Sequence, residues 1–387
     1  MSQEINGKAL KLRDLYSFFW SVGLVFTSVG LLLGQEGKGR QGLNFENVQV
    51  DKQQVVYEQR LYRNPFIGLY GIQKVVNDSA HLLTYVPMIQ GIPVARYKMG
   101  ASLEANALTQ AERSALTKWG FFPLQRRNYK FDFWLHPVFW AKFGNFSKPV
   151  RSNTSVLLQS QVYLWPGMAL NWGILFPVSN DLDNRPKMIR PAPVFLNQFY
   201  AKDNHFVSAS AGLFHNDQYG VNVQYRHTDF KSPWSYGLEV GLTGMYYYPR
   251  GGLYYEKMDK LLLLADVEYR FSKLDLLLKV SGGQFLWGDK GGRFDFIRQY
   301  TNVEIGLFVV ATQNGATAGF NFAIPIPPRK IVQTSKMRLR TTEEFRWQYL
   351  YAGGYKMGER YQTGYQLDQR LRQYHQNYLN RQYQQTK

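Results

Sequence analysis

Six histidines, no cysteine and scattered serines limit the chemistry open to this chain. Without Cys there are no disulfides, thiolate metal sites or thiol nucleophiles. A hydrolase triad needs His, Ser and an orienting polar group on one face. His205 and Ser208 stand three apart in an extended run and point to opposite faces, and Ser210 is off the face of His205 by the same parity. His81, His136, His215, His227 and His375 lack ligand spacing. Asn180-Asp181-Leu182-Asp183-Asn184 gathers oxygen side chains but lacks the Gly and distant Glu of a calcium loop, so it reads as an Asx-closed turn. Gly282-Gly283 and Gly291-Gly292 precede no Lys-Ser/Thr and no helix, so they read as turns or strand kinks. Asp266 and Glu268 share a strand face with Arg270, which points to ion pairing rather than acid–base catalysis. These residues predict a protein that is not an enzyme and holds no metal or cofactor.

The elements that carry these residues have a period of two. In 234–247, Tyr236, Leu238, Val240 and Leu242 take one face; Gly237, Glu239, Gly241 and Thr243 take the other. In 263–271, Leu263, Ala265, Val267, Tyr269 and Phe271 oppose Leu264, Asp266, Glu268 and Arg270. Val303, Ile305, Leu307 and Val309 form another apolar face, as do Phe345, Trp347, Tyr349 and Tyr351. Similar runs start at residue 54, and Pro166-Gly167, Asn216-Asp217, Gly251-Gly252 and Asn314-Gly315 punctuate them. The strands run to about 9–12 residues, against about 5–6 in soluble sheets. That length matches the roughly 9–11 residues of a tilted transmembrane strand. Apolar faces ending in Tyr, Trp or Phe suit the aromatic girdles of a membrane interface. A soluble sandwich would explain the alternation but not the strand length. The expected fold is all-β: an antiparallel transmembrane β-barrel of about 14–16 strands over residues 54–352. Ala-rich sequence in 99–118 predicts a short helix in a long loop.

The inward faces of the clearest strands carry seven acids, Asp132, Glu239, Asp266, Glu268, Asp275, Glu304 and Glu344, and five bases, Lys130, Arg226, Arg270, Lys279 and Arg346. This balance predicts a lumen filled by a polar network, with Glu239, Asp266, Glu268, Arg270, Lys279, Glu304 and Arg346 at its centre, rather than a wide anion pore. The chain as a whole carries a net charge of +18. Between Arg329 and Lys387 lie 12 Lys+Arg and 4 Asp+Glu, so this end supplies +8 of it. Residues 353–387 read as a basic Tyr/Gln-rich tail outside the barrel. Leu367, Leu371, Tyr374 and Tyr378 fall on one helical face there. Arg370, Arg372, Tyr374 and Tyr378 are its candidate partner-binding residues. Anionic lipid head groups or an acidic partner suit such a tail; nucleic acid does not suit an exported protein.

Export is inferred from the N-terminus. Lys8, Lys11 and Arg13 precede an apolar run from Phe18 to Leu33, and a polar stretch starts at Gly34-Gln35-Glu36. Residues 1–34 read as a signal peptide, with an uncleaved anchor helix as the alternative and 35–53 as a linker. The apolar run is short of the roughly 20 residues of a membrane span.

Three segments carry a family resemblance. They are Tyr57-Glu58-Gln59-Arg60-Leu61-Tyr62-Arg63-Asn64-Pro65, the block from Ser152-Asn153-Thr154 to Asn184-Arg185-Pro186, and Arg340-Thr341-Thr342-Glu343-Glu344-Phe345-Arg346-Trp347-Gln348-Tyr349. Together they resemble the YjbH-like exopolysaccharide biosynthesis proteins of Gram-negative bacteria. The resemblance implies an outer-membrane barrel taking part in capsule or exopolysaccharide export or surface assembly, among outer-membrane lipid, acidic polysaccharide and envelope export proteins. A scaffolding role in another envelope machine is the alternative. The chain departs from the pattern in its short length and polar tail; Lys387 is not the aromatic residue on which outer-membrane barrels commonly end.

Overall fold

The computed structural model describes residues 44–78, 80–117, 130–143, 150–183, 185–249, 252–350, 357–360 and 366–386. The expected signal peptide lies outside these residues. Among the described residues there are two sheets. The first contains β1 (Glu46–Val50), β2 (Gln54–Glu58), β3 (Thr84–Ile89), β4 (Ile92–Pro93), β5 (Arg96–Met99) and β6 (Leu103–Asn106), in the order β1-β2-β3-β5-β6 with β4 on β3. Strands β2 and β3 are parallel. A parallel pair needs a long crossover, which α1 (Pro65–Val76) supplies. The Asn64 side chain caps α1 by accepting from the Phe66 N–H, Pro65 opens the first turn, and Asn77 ends it at φ 57°. The linker expected over 35–53 therefore contains strand β1, and the sheet expected to start at 54 belongs to this separate small unit.

The loop expected to hold a helix splits in two. α2 (Gln110–Thr117) is helical, but Ala-rich Leu103–Asn106 is strand β6. Tertiary pairing overrides helix propensity there. One edge of β6 pairs with β5. On the other edge the Leu103 and Ala105 N–H groups donate to the side chains of Asn380 and Gln376.

The large sheet contains β7 (Phe131–Phe143), β8 (Val150–Trp165), β9 (Met168–Asn180), β10 (Arg190–Lys202), β11 (His205–Leu213), β12 (Gln218–Thr228), β13 (Trp234–Tyr247), β14 (Tyr254–Tyr255), β15 (Lys260–Phe271), β16 (Leu276–Gln284), β17 (Lys290–Gln299), β18 (Glu304–Thr312), β19 (Gly315–Ile324), β20 (Val332–Gln333), β21 (Met337–Thr341) and β22 (Phe345–Leu350). Thirteen of these form an antiparallel meander from β7 through β13, β15 and β19 to β22. Burial is inverted relative to a soluble domain. Val240, Leu238, Leu263, Val267, Leu307 and Val309 are exposed, while Asn222, Gln224, Arg226, Glu239, Glu268 and Glu304 are buried. The alternation thus puts apolar side chains outward and polar ones inward.

The barrel expectation needs one correction: among the described residues the hydrogen-bonded ladder is not closed. Thirteen strands in antiparallel succession leave the first and last running the same way, so β7 and β22 can meet only in parallel. The chain bridges the seam in halves. β21 pairs in parallel with β7, matching 337–341 to 131–135. β22, three residues further on, pairs with β19 instead. Above Thr342, whose N–H still donates to the Leu135 carbonyl, β7 and β22 meet through rings. His136–Phe345, Phe139–Trp347 and Phe143–Tyr349 have centroids 5.9, 6.3 and 5.8 Å apart.

Candidate functional site, a polar interior filled by the tail

The tail is inside the large sheet, not beside it. At the end of the sheet that carries the 285–289 turn, the Gly358 N–H donates to Asp289 Oδ2 at 2.8 Å and the Leu286 N–H to the Glu359 carbonyl at 3.0 Å. Arg360 then pairs with Glu239. Helix α3 (Leu367–Leu371) follows, its Leu367 N–H donating to Gln224 Oε1 at 2.7 Å. Asp368 lies 2.5 Å from Lys279 Nζ and 3.1 Å from Arg372 Nη2. Arg372 Nη1 is 3.8 Å from Glu304. The tail leaves at the opposite end, where the Gln376 N–H donates to the Phe230 carbonyl.

These contacts require a curled sheet. Gln224 is on β12 and Glu304 on β18, five strands apart, which is about 24 Å in a flat sheet. Leu367 and Arg372 are five residues apart, about 7.5 Å of helical rise. Only a wall wrapped around the tail lets one short segment, α3 and the residue after it, touch both.

All seven residues expected in the polar network lie on strands of this wall. Asp266 and Glu268 pair with Arg226 from β12 and with Lys279 from β16. Gly237 makes room, since a Cβ there would stand 2.9 Å from Arg226 Nη2 and 3.0 Å from Asp266 Oδ2. Arg346 reaches Glu304 at 2.8 Å. Parity alone placed these groups on one face. It carried no sign that Arg360, Asp368 and Arg372 of the tail complete the network. Of the expected partner-binding residues, Arg372 is buried in this interior and Tyr378 in the apolar core beyond the tail's exit. Tyr374 accepts the Tyr97 hydroxyl on its carbonyl, and Arg370 is half-buried on α3. The four stripe residues pack into one core of the protein itself, but not along one helix: the backbone turns extended at His375, ψ 134°, between Tyr374 and Tyr378.

That core joins three parts of the chain. Val55, Tyr57, Leu69 and Tyr85 of the small unit, Phe199 and Phe206 of the large sheet, Phe230 of its β12–β13 turn, and Leu371, Tyr378 and Leu379 of the tail form one cluster. Helix α4 (Gln376–Gln384) lies across it, and the Tyr378 hydroxyl donates to the Thr301 carbonyl at 2.9 Å. The small unit also clamps the lower seam. Asp132 of β7 takes Arg338 at 3.0 Å and Arg340 at 2.8 Å from β21. Arg338 and Arg60 both reach Glu46. Nearby, Glu58 accepts from the Tyr163 hydroxyl at 2.8 Å, the Gly91 N–H at 3.1 Å and Asn47 Nδ2 at 3.0 Å. Full burial outweighs those donors and pushes its carboxyl up to about 7. The Glu58-Arg60 segment thus joins the small unit to the large sheet.

The fold and interior define a class: an inside-out antiparallel sheet, apolar outside, wrapped around its own C-terminal segment. Residues 194–342, β10 to just past β21, match the family described as exopolysaccharide biosynthesis protein YbjH. Over that segment, less than half of the 387 residues, the chain is YjbH-like. No curated protein and no solved structure matches the chain.

Proposed function

We propose that this protein sits in the outer membrane of a Gram-negative envelope and takes part in export or surface assembly of exopolysaccharide without catalysing a covalent step. The inverted burial of the large sheet carries this reading: a row of outward Val, Leu and Phe at strand centres is stable against lipid and costly against water. The family match supplies the link to exopolysaccharide. The two halves of the seam come together into a barrel in the bilayer, where unpaired backbone groups are expensive. Outer-membrane lipid meets the apolar face; an acidic polysaccharide and envelope export proteins are its partners at the two rims. The filled interior favours a guide, docking site or scaffold over an open conduit, because Arg360, Asp368 and Arg372 occupy the path a polymer would take.

The test is a deletion strain complemented with the intact chain. The chain should fractionate with the outer membrane and show heat-modifiable mobility on gels, and the deletion should reduce surface polysaccharide. A protein found in the soluble fraction would overturn the membrane reading. Normal polysaccharide display in the deletion strain would overturn the functional one and favour a scaffold of another envelope machine.

A further inference from the structure

Two of the six histidines meet on the outer face of the wall. His205 opens β11, and His227 stands directly opposite it on β12. The Thr228 N–H donates to the Asn204 carbonyl at 3.0 Å. Residues 204 and 228 are therefore a hydrogen-bonded pair. Residues 205 and 227 form the non-hydrogen-bonded pair beside it, the kind whose side chains stand closer. The two imidazole rings have centroids 4.8 Å apart and planes at 63°. No local spacing announces them, because a metal motif is read over a few residues and this pair is made by strand register alone.

Both rings are held in place. His205 Nδ1 lies 2.7 Å from the Tyr225 hydroxyl. With Nδ1–H donating to that oxygen, Nε2 keeps its lone pair for a ligand, as in most metal-bound histidines. Tyr236, opposite His227 on β13, stacks on the His227 ring at 4.7 Å and 13°. His227 Nδ1 is buried and has no hydrogen-bond partner among the described residues. His205 is exposed beside the Asp203-Asn204 turn and His227 is half-buried, so water reaches the pair from the His205 side.

The separation fits one ion between two rings. A metal–nitrogen bond of about 2.0–2.1 Å, plus about 1.1 Å to the ring centre, puts each centre about 3.2 Å from the ion. Two such ligands at about 90–109° hold their centres about 4.5–5.2 Å apart. The observed 4.8 Å falls inside that interval. No group of three or more His, Cys, Asp or Glu gathers to hold an ion among the described residues. Asp203 and Asp229, in the adjoining turns, each hold a backbone N–H with Oδ1. Water therefore completes the shell, and a bound ion exchanges.

We propose that His205 and His227 form a two-histidine site for a borderline divalent transition-metal ion, Cu²⁺, Ni²⁺ or Zn²⁺, with Cu²⁺ held most tightly. The site does not depend on the role proposed above. The ion clips β11 to β12 beside Phe206, which belongs to the core shared with the small unit and the tail.

The test uses the untagged full chain in detergent, stripped of metal with a chelator. Cu²⁺ should bind with a paramagnetic resonance spectrum that shows two imidazole nitrogens. His205→Phe and His227→Phe keep an aromatic ring in the row, and each should weaken Cu²⁺ binding by about tenfold or more. In the wild-type chain, saturating Zn²⁺ should suppress carbethoxylation of His205 by diethyl pyrocarbonate and leave that of His81 unchanged, read residue by residue by mass spectrometry. A Cu²⁺ spectrum with one imidazole nitrogen or none overturns the proposal. So does a Phe variant that binds Cu²⁺ like wild type, or equal modification of His205 with and without Zn²⁺. Where a variant fails to assemble, the spectrum and the modification pattern of the wild-type chain decide.

Discussion

The wall from β11 to β18 and the seam between β7 and β22 are built from the same kind of strand but behave differently. Along β13, exposed and buried residues alternate almost without a break, and every backbone edge in the wall has a neighbour. Along β7 and β22 most residues are half-buried on both faces. The lower seam compensates with backbone bonds to β21 and the buried Asp132–Arg338–Arg340 cluster; the upper seam, among the described residues, meets through rings. Alternation suffices where neighbours pair in sequence. Where thirteen strands bring two parallel edges together, side chains must do what a ladder does elsewhere.

That contrast can be broken most directly at its ionic lock. Asp132→Ala leaves Arg338 and Arg340 buried without their shared carboxylate, and removing one member of a buried ion pair costs about 3–5 kcal/mol. Denaturant unfolding in lipid should show the variant failing to assemble or losing that much stability. A loss under about 1 kcal/mol would mean that the lower seam is not held by this cluster.

On the wall, Val240 is 46% exposed at mid-strand on the outward face. Val240→Lys should cost about 2–4 kcal/mol in a bilayer. The check is the yield of heat-modifiable protein in liposomes. A variant that assembles as well as wild type would deny that this face meets lipid.

The clamp formed by the small unit should depend on pH through Glu58. Its folded pKa is raised from 4.5 to about 7, so the folded state holds a proton that the unfolded chain releases between those values. Stability from this group is therefore full below about 4.5 and declines as pH rises through 7, by at most about 3 kcal/mol. Protease protection of residues 44–117, measured from pH 5 to 8, should fall with pH. Glu58→Gln should flatten that slope; an equally steep slope in the variant would assign the dependence elsewhere.

The smallest expected effect lies on the upper seam. Trp347 stacks near Phe139 across the seam and near Phe320 and Phe322 within the sheet. Trp347→Ala should cost about 0.5–1.5 kcal/mol beyond the area it uncovers. The same denaturant assay applies. A loss as large as that of Asp132→Ala would show that the rings, not the ionic lock, carry closure.

What could be read before any tertiary structure was the part written in adjacent residues. Period two in 234–247 and 263–271 assigns Val240 to one face and Glu239, Asp266 and Glu268 to the other, and pairing with the next strand preserves that assignment. Asn64-Pro65 is a local helix start, a capping side chain followed by proline, set between two strands. Three features depended on distant partners. Leu103–Asn106 is a strand because Asn380 and Gln376 complete its edge. The stripe of Leu367, Leu371 and Tyr378 reads the same whether it meets a foreign partner or its own core; only the placement of Lys279 and Glu304 around it draws it inward. The open ladder follows from an odd number of strands, a sum over the whole chain that no local pattern contains. Local alternation is set by backbone geometry within a few residues, whereas closure and filling are set by contacts between groups more than a hundred residues apart, as Gln224 and Leu367 are.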